Sequence, residues 1–125
     1  MSNTPVSIRP FIGSGDFNLS RRFYQSLGWE EIPLEPRLSL FKTGNIAFYL
    51  QDYNVQDWID NTVVFVEVPD LEAFYQSLID LRLGEKFPGV KVQPIRHNSW
   101  GDECFLIDPS GILWHFGSFK EVATR

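Results

Sequence analysis

Phe23-Tyr24-Gln25-Ser26-Leu27, closed by Gly28-Trp29, decides how this chain is read, because the same five letters return 51 residues later as Phe74-Tyr75-Gln76-Ser77-Leu78. The first copy lies in a stretch whose Phe17, Leu19 or Ser20, Phe23, Tyr24 and Leu27 recur at helical spacing. That spacing marks a helix with one buried face. Asp16 and Asp70 stand where N-caps are needed, and Gly28 and Gly84 where the two helices would stop. The caps are 54 residues apart. The identical letters therefore miss the cap register by three residues, nearly one helical turn.

Working outward, Val6 to Ile12 reads as a strand that ends at Gly13-Ser14-Gly15. After the first helix come strand candidates at Trp29 to Leu34, Leu38 to Lys42 and Ile46 to Tyr53, set apart by Pro33 to Pro36 and by the turn Thr43-Gly44-Asn45. Asn54 to Asn61 is polar apart from Val55, Trp58 and Ile59, and reads as a linker. The strand former Thr62 to Val68 follows, then the second helix through about Leu83. Three more strand candidates come last, at Val90 to Ile95, Glu103 to Ile107 and Leu113 to Phe119, with Asp108-Pro109-Ser110-Gly111 as a tight turn. The order βαβββ thus occurs twice. We expect an α+β chain forming one domain over residues 1–125, with half-repeats 6–53 and 62–119 joined by linker 54–61.

Composition removes several function classes. A length of 125 residues with 43% hydrophobic content supplies one core and hardly two. A net charge of −5 repels a phosphate backbone and offers no basic stripe, so neither nucleic acid nor an anionic membrane surface is an expected partner. The opening Met1-Ser2-Asn3-Thr4-Pro5 has no basic or apolar leader pattern, and no 18 apolar residues run together, which points to the cytoplasm. Cys104 is the one cysteine, so no intrachain disulfide and no paired-cysteine zinc site is expected. There is no GxSxG elbow or P-loop, and Gly13-Ser14-Gly15 reads as a plain βα turn.

Two segments carry a family resemblance that spans nearly the whole chain. Phe23-Tyr24-Gln25-Ser26-Leu27-Gly28-Trp29 resembles the FYxxLGF helix end of the glyoxalase, bleomycin-resistance and extradiol-dioxygenase superfamily, and Asp108 to Phe116 resembles its DPxGxxxxF hairpin. The similarity is closest to bleomycin-resistance proteins, whose DNT and WGxxF...DPxG...HF segments look like Asp60-Asn61-Thr62, Trp100-Gly101, Phe105, Asp108-Pro109, Gly111 and His115-Phe116, with Phe105 displaced by one. The resemblance implies two βαβββ repeats forming cupped mixed sheets, and a homodimer that is strand-exchanged or face to face.

Enzymes of that superfamily hold a divalent metal with His, Glu or Gln from four strands. Spacing from the helix caps and turn glycines puts the corresponding positions here at Arg9 (or Ser7), Phe48, Val63 and His115. Only His115 among them is a credible ligand. His97 reads as a loop residue, and Glu67, Asp102 and Glu103 as surface carboxylates with oxygen donors in reserve. No cofactor is therefore expected; the alternative is a lyase, isomerase or dioxygenase using Zn, Mn, Fe or Ni.

What remains is a binding groove in a chain with 15% aromatic residues and 4 Trp. Phe17, Phe23, Phe74, Tyr75, Trp114 and Phe116 read as core. Trp58 and Trp100 lie in polar segments where a large ring needs cover from ligand or partner. By alternation Arg9, Phe11, Phe48, Leu50, Val63, Phe65 and His115 share the concave face, with Asp102 beside Trp100 as a polar anchor. The expected occupant is a small, flat, cationic or aromatic ligand of bleomycin type, bound without chemistry. A dimeric assembly protein with no ligand is the remaining alternative.

Overall fold

The caps do what their chemistry requires. In the computed structural model, which describes residues 3–120, Asp16 accepts a hydrogen bond from the Leu19 N–H and Asp70 from the Ala73 N–H, each at 3.1 Å. They open helices α1 (Phe17–Ser26) and α3 (Leu71–Asp80). Counted from the caps, Phe23 corresponds to Ser77 and Tyr24 to Leu78. The repeated pentapeptide is therefore out of structural register, and its letters do different work in the two halves.

Around α1 lie β1 (Phe11–Ile12), β2 (Glu30–Glu35), β3 (Leu38–Thr43) and β4 (Ile46–Gln51), in the sheet order β1-β4-β3-β2. Helix α2 (Gln56–Asn61) leads to β5 (Val63–Glu67), followed by α3, α4 (Leu83–Lys86), β6 (Lys91–His97), β7 (Gly101–Ile107) and β8 (Leu113–Phe119). The second sheet runs β5-β8-β7-β6. In each, the first strand is parallel to the fourth and the other pairings are antiparallel. These are the two βαβββ modules, each a four-stranded mixed sheet. The outer strands β2 and β6 each carry a proline, Pro33 and Pro94, and in both the register shifts there. An edge strand tolerates the missing N–H, and a disturbed edge resists pairing with another chain.

Three local expectations are corrected. The strand foreseen from Val6 shrinks to Phe11–Ile12, because Pro10 has no N–H with which to extend the ladder. Its carbonyl still accepts from Tyr49 N–H, but Val6 and Ile8 stand 98% and 96% exposed. The linker holds the short helix α2, anchored by buried Ile59 and closed by Thr62 Oγ1 donating to the Trp58 carbonyl. Six residues are too few to show a helical period. Gly84 does not stop α3; Arg82 takes the left-handed conformation (φ 52°), and Gly84 lies inside α4.

The buried side chains of both modules form one continuous core. At its centre the two segments that carried the resemblance meet. The Tyr24 hydroxyl donates to Asp108 Oδ2 at 2.6 Å and accepts from Trp114 Nε1 at 2.9 Å. Asp108 Oδ1 takes the backbone N–H groups of Ser110, Gly111 and Ile112 at 2.8–2.9 Å. Burial, followed by the adjacent Asp108 charge, holds the Tyr24 phenol well above its usual range, so it keeps the proton it donates. Burial also raises the Asp108 carboxyl, against the pull of its hydrogen bonds. Cys104 is buried, and burial with the Glu103 charge pushes its thiol up to about 11, a packed and unreactive sulfur.

On the α1 side of the first sheet, Glu31 accepts from Arg21 Nε at 2.6 Å and from Ser39 Oγ at 2.6 Å. Burial alone would raise this carboxyl; the hydrogen bonds from Arg21, Ser39 and Gln25 and the Arg21 charge outweigh it and hold the value below 4.5. A depressed carboxylate stabilises the fold above its unfolded value and ceases to do so as pH falls through its folded one. Glu31→Gln should therefore lose about 1–2 kcal/mol at pH 7 in urea unfolding, and the gap to the parent should shrink as the pH falls below the ordinary carboxylate range. A gap that stays constant with pH would deny the ion pair this role.

Among the described residues no helix is long and apolar enough to cross a membrane.

Candidate ligand-binding face

Alternation along each strand gives every sheet one face under the helices and one free of them. On β8, Trp114 and Phe116 are buried on the helix side, so His115, Gly117 and Phe119 belong to the free face. The register extends this: Phe65 and Phe105 flank His115, and Glu67 and Glu103 flank Gly117. Gly117 matters because a Cβ there would lie 2.8 Å from Phe65 Cζ. Its absence lets the Phe65 ring lie across β8. Phe65 then meets Trp100 at 6.1 Å and Phe119 at 5.9 Å, and Trp100 meets Phe119 at 5.3 Å. The three rings form a shelf that remains 37–44% exposed.

Beside the shelf the polar groups are few and fixed. His115 Nδ1 lies 3.5 Å from Glu103 Oε2, while Asn98 Nδ2 donates to Glu103 Oε1 at 3.3 Å. The imidazole packs edge-on against Phe105 at 4.5 Å, and the Arg96 guanidinium stands 5.6 Å from the centre of the same Phe105 ring. On the first sheet Phe11 stacks on Tyr49 at 4.6 Å, and Arg9 donates to the Tyr49 hydroxyl at 3.1 Å.

The expected groove residues divide accordingly. Phe65 and His115 share the free face of the second sheet with Val63, and Trp100 joins Phe65 in the shelf. Arg9 and Phe11 meet at Tyr49 on the first sheet. Phe48 and Leu50 are corrected: they are 1% and 0% exposed and point to the helix side, where Phe48 touches Tyr24 and Trp114. The free-face residues of β4 are Ala47, Tyr49 and Gln51, one position away, and a slip of one flips the whole strand. Asp102 alternates with Glu103 and faces the other way, with its Oδ1 2.8 Å from His97 Nδ1. Trp58 is 60% exposed and packs on Tyr53 at 5.3 Å, beside a depression of about 430 Å³ that also reaches Leu38 and Gln51. That depression shares no residue with the shelf. A second hollow, of about 360 Å³, opens at the seam between β4 and β5 over Trp29, Phe48 and Trp114.

No protein-family model and no curated protein sequence matches the chain. Solved structures do. The bleomycin-binding protein of bleomycin-producing Streptomyces verticillus, solved with copper(II)-bleomycin, superposes with a TM-score of 0.80 over 95% of this chain and all of its own, at 20% identity. The chain has the glyoxalase/bleomycin-resistance fold. An antibiotic-binding protein from another Streptomyces matches at TM-score 0.71 and 17% identity over 96% of this chain and 100% of that one. A lactoylglutathione lyase from Agrobacterium tumefaciens matches at 0.68 and 17% over 91% and 94%. Binders and enzymes thus share the glyoxalase/bleomycin-resistance fold, and the side chains must discriminate between them.

The four strand positions that the resemblance assigns to a metal do not carry a ligand set. Of the four strand positions, Arg9 is a cation, Val63 has no donor atom, and Phe48 faces the core. His115 has Glu103 beside it, and among the described residues no three His, Cys, Asp or Glu side chains converge. Phe119, Phe105 and Tyr49 were missed as free-face residues. The Asp108-to-Gly111 turn held the needed signal for Phe105, because a tight hairpin fixes which residue of β7 lies opposite His115.

Proposed function

We propose that this chain is a metal-free binder of a small, flat, cationic ligand, of the kind sequestered by bleomycin-resistance proteins, and that it works as a single-domain homodimer. The observation that carries this reading is the exposed shelf of Phe65, Trp100 and Phe119 on the helix-free face, with Glu103 and His115 at its side. Half-exposed rings offer a stacking surface for a planar group, and a carboxylate beside them suits a positive charge. The donor set argues against the metal-dependent enzymes of the same fold. The dimer is supported by the arm upstream of β1: Val6 and Ile8 are an alternating apolar pair almost wholly in solvent. Strand exchange with a second copy would cover them.

Titration with bleomycin, metal-free and copper(II)-loaded, followed by tryptophan fluorescence, tests this. Saturable quenching is expected, and Trp100→Ala should weaken it by about tenfold or more. Light scattering should give twice the chain mass, falling to the chain mass once residues 1–10 are removed. A chain that shows no quenching up to millimolar bleomycin, or that binds equally well without Trp100, would end the sequestration reading.

A further inference from the structure

We infer that Glu103 selects ligands by charge and that His115 decides, by its proton, whether that selection operates. The inference rests on the reading that the shelf takes a small ligand. Glu103 is only 14% exposed and His115 25%, and the 3.5 Å between Oε2 and Nδ1 makes them a pair. An imidazole exchanges its proton between about pH 5 and 8. With the proton bound, the carboxylate and imidazolium cancel, and the shelf presents no net charge from this pair. With the proton lost, Glu103 keeps its full negative charge beside three aromatic faces. A cation stacked there is attracted more strongly in the second state.

The other groups around His115 leave this balance in its hands. From β5 the free face receives Phe65 and Glu67; from β7, Phe105 and Glu103; from β6, Arg96, which stands over Phe105; and Lys91 lies at the far end of β6, opposite Ile107. Asp102 and His97 pair with each other through Asp102, which points to the other face. Glutamates, arginine and lysine hold their charges across neutral pH. Among the described residues, His115 is therefore the group on this face whose charge changes there.

The direction follows from linkage. Raising the pH removes a positive charge from the face and strengthens cation binding; conversely, a bound cation makes His115 release its proton at lower pH. One unit charge at about 6 Å corresponds to roughly tenfold in affinity at an effective dielectric of about 40, between that of a protein surface and that of bulk water.

The test uses two probes with one ring system, (1-naphthylmethyl)trimethylammonium and neutral 1-naphthylmethanol, titrated by tryptophan fluorescence from pH 5.5 to 8. Cation affinity should rise about tenfold over this range while that of the alcohol changes less than twofold. His115→Gln should flatten the cation profile and His97→Gln should not. Glu103→Gln should lower cation affinity about tenfold at every pH, leaving its rise with pH in place and sparing the alcohol. NMR of the two histidines provides a second readout, with cation displacing the titration of His115 and not of His97. If both probes bind but the cation shows no pH dependence, or keeps it in His115→Gln, the inference fails and the shelf remains a binding surface. If neither probe binds at any pH, the ligand-face reading falls with it.

Discussion

Asp108→Ala is expected to lower the unfolding free energy by about 3–5 kcal/mol, the largest loss from any single polar substitution in the chain. The methyl group would leave the buried Tyr24 hydroxyl without its acceptor and strip the turn of the oxygen that takes three backbone N–H groups. Each buried donor left unsatisfied costs about 1–3 kcal/mol, partly offset here because the Gly111 N–H also reaches the Asp108 carbonyl. Asp108→Asn keeps the oxygen facing the turn and should cost less than half as much. Urea unfolding of both variants, with Tyr24→Phe to complete a double-mutant cycle, measures the bond directly. A coupling near zero between Tyr24 and Asp108 would mean that the two residues stabilise the fold independently.

Phe48→Ala should cost a similar amount, about 3–5 kcal/mol, through the cavity it leaves. Its ring lies within 6 Å of four others, Tyr24, Trp29, Phe41 and Trp114, in a core where little can collapse to fill the space. Affinity for any ligand of the shelf should stay within twofold in the protein that remains folded, because Phe48 lies on the opposite side of its sheet from the free face. A variant with an unchanged urea midpoint and a lost ligand would return Phe48 to the groove.

That residue shows where the sequence stops being legible. Both modules, both aspartate caps and the tight Asp108-to-Gly111 turn could be read, because each is a local preference written in a few adjacent letters. The side that a strand presents is not local. In β4 every candidate, Ala47 to Gln51, is apolar, aromatic or neutral, so alternation offers no polar mark to distinguish one face from the other. In β8 the same question had an answer, since His115 sits between Trp114 and Phe116. The arm misled for a different reason: Val6 and Ile8 have strand-forming side chains, but a strand also needs a neighbour to bond, and Pro10 interrupts the ladder. The shelf itself depends on Gly117, whose importance lies in a ring from 52 positions earlier and leaves no trace around it in the sequence.

The bond between Tyr24 and Asp108 spans 84 positions and ties the first helix to the last hairpin. Cutting the backbone between the modules would therefore produce two incomplete pieces, one with an unanswered phenol and the other with an unanswered carboxylate, each exposing its share of a common interior. Such pieces are suited to complementation: silent apart, and restored to one folded body when fused partners bring them together.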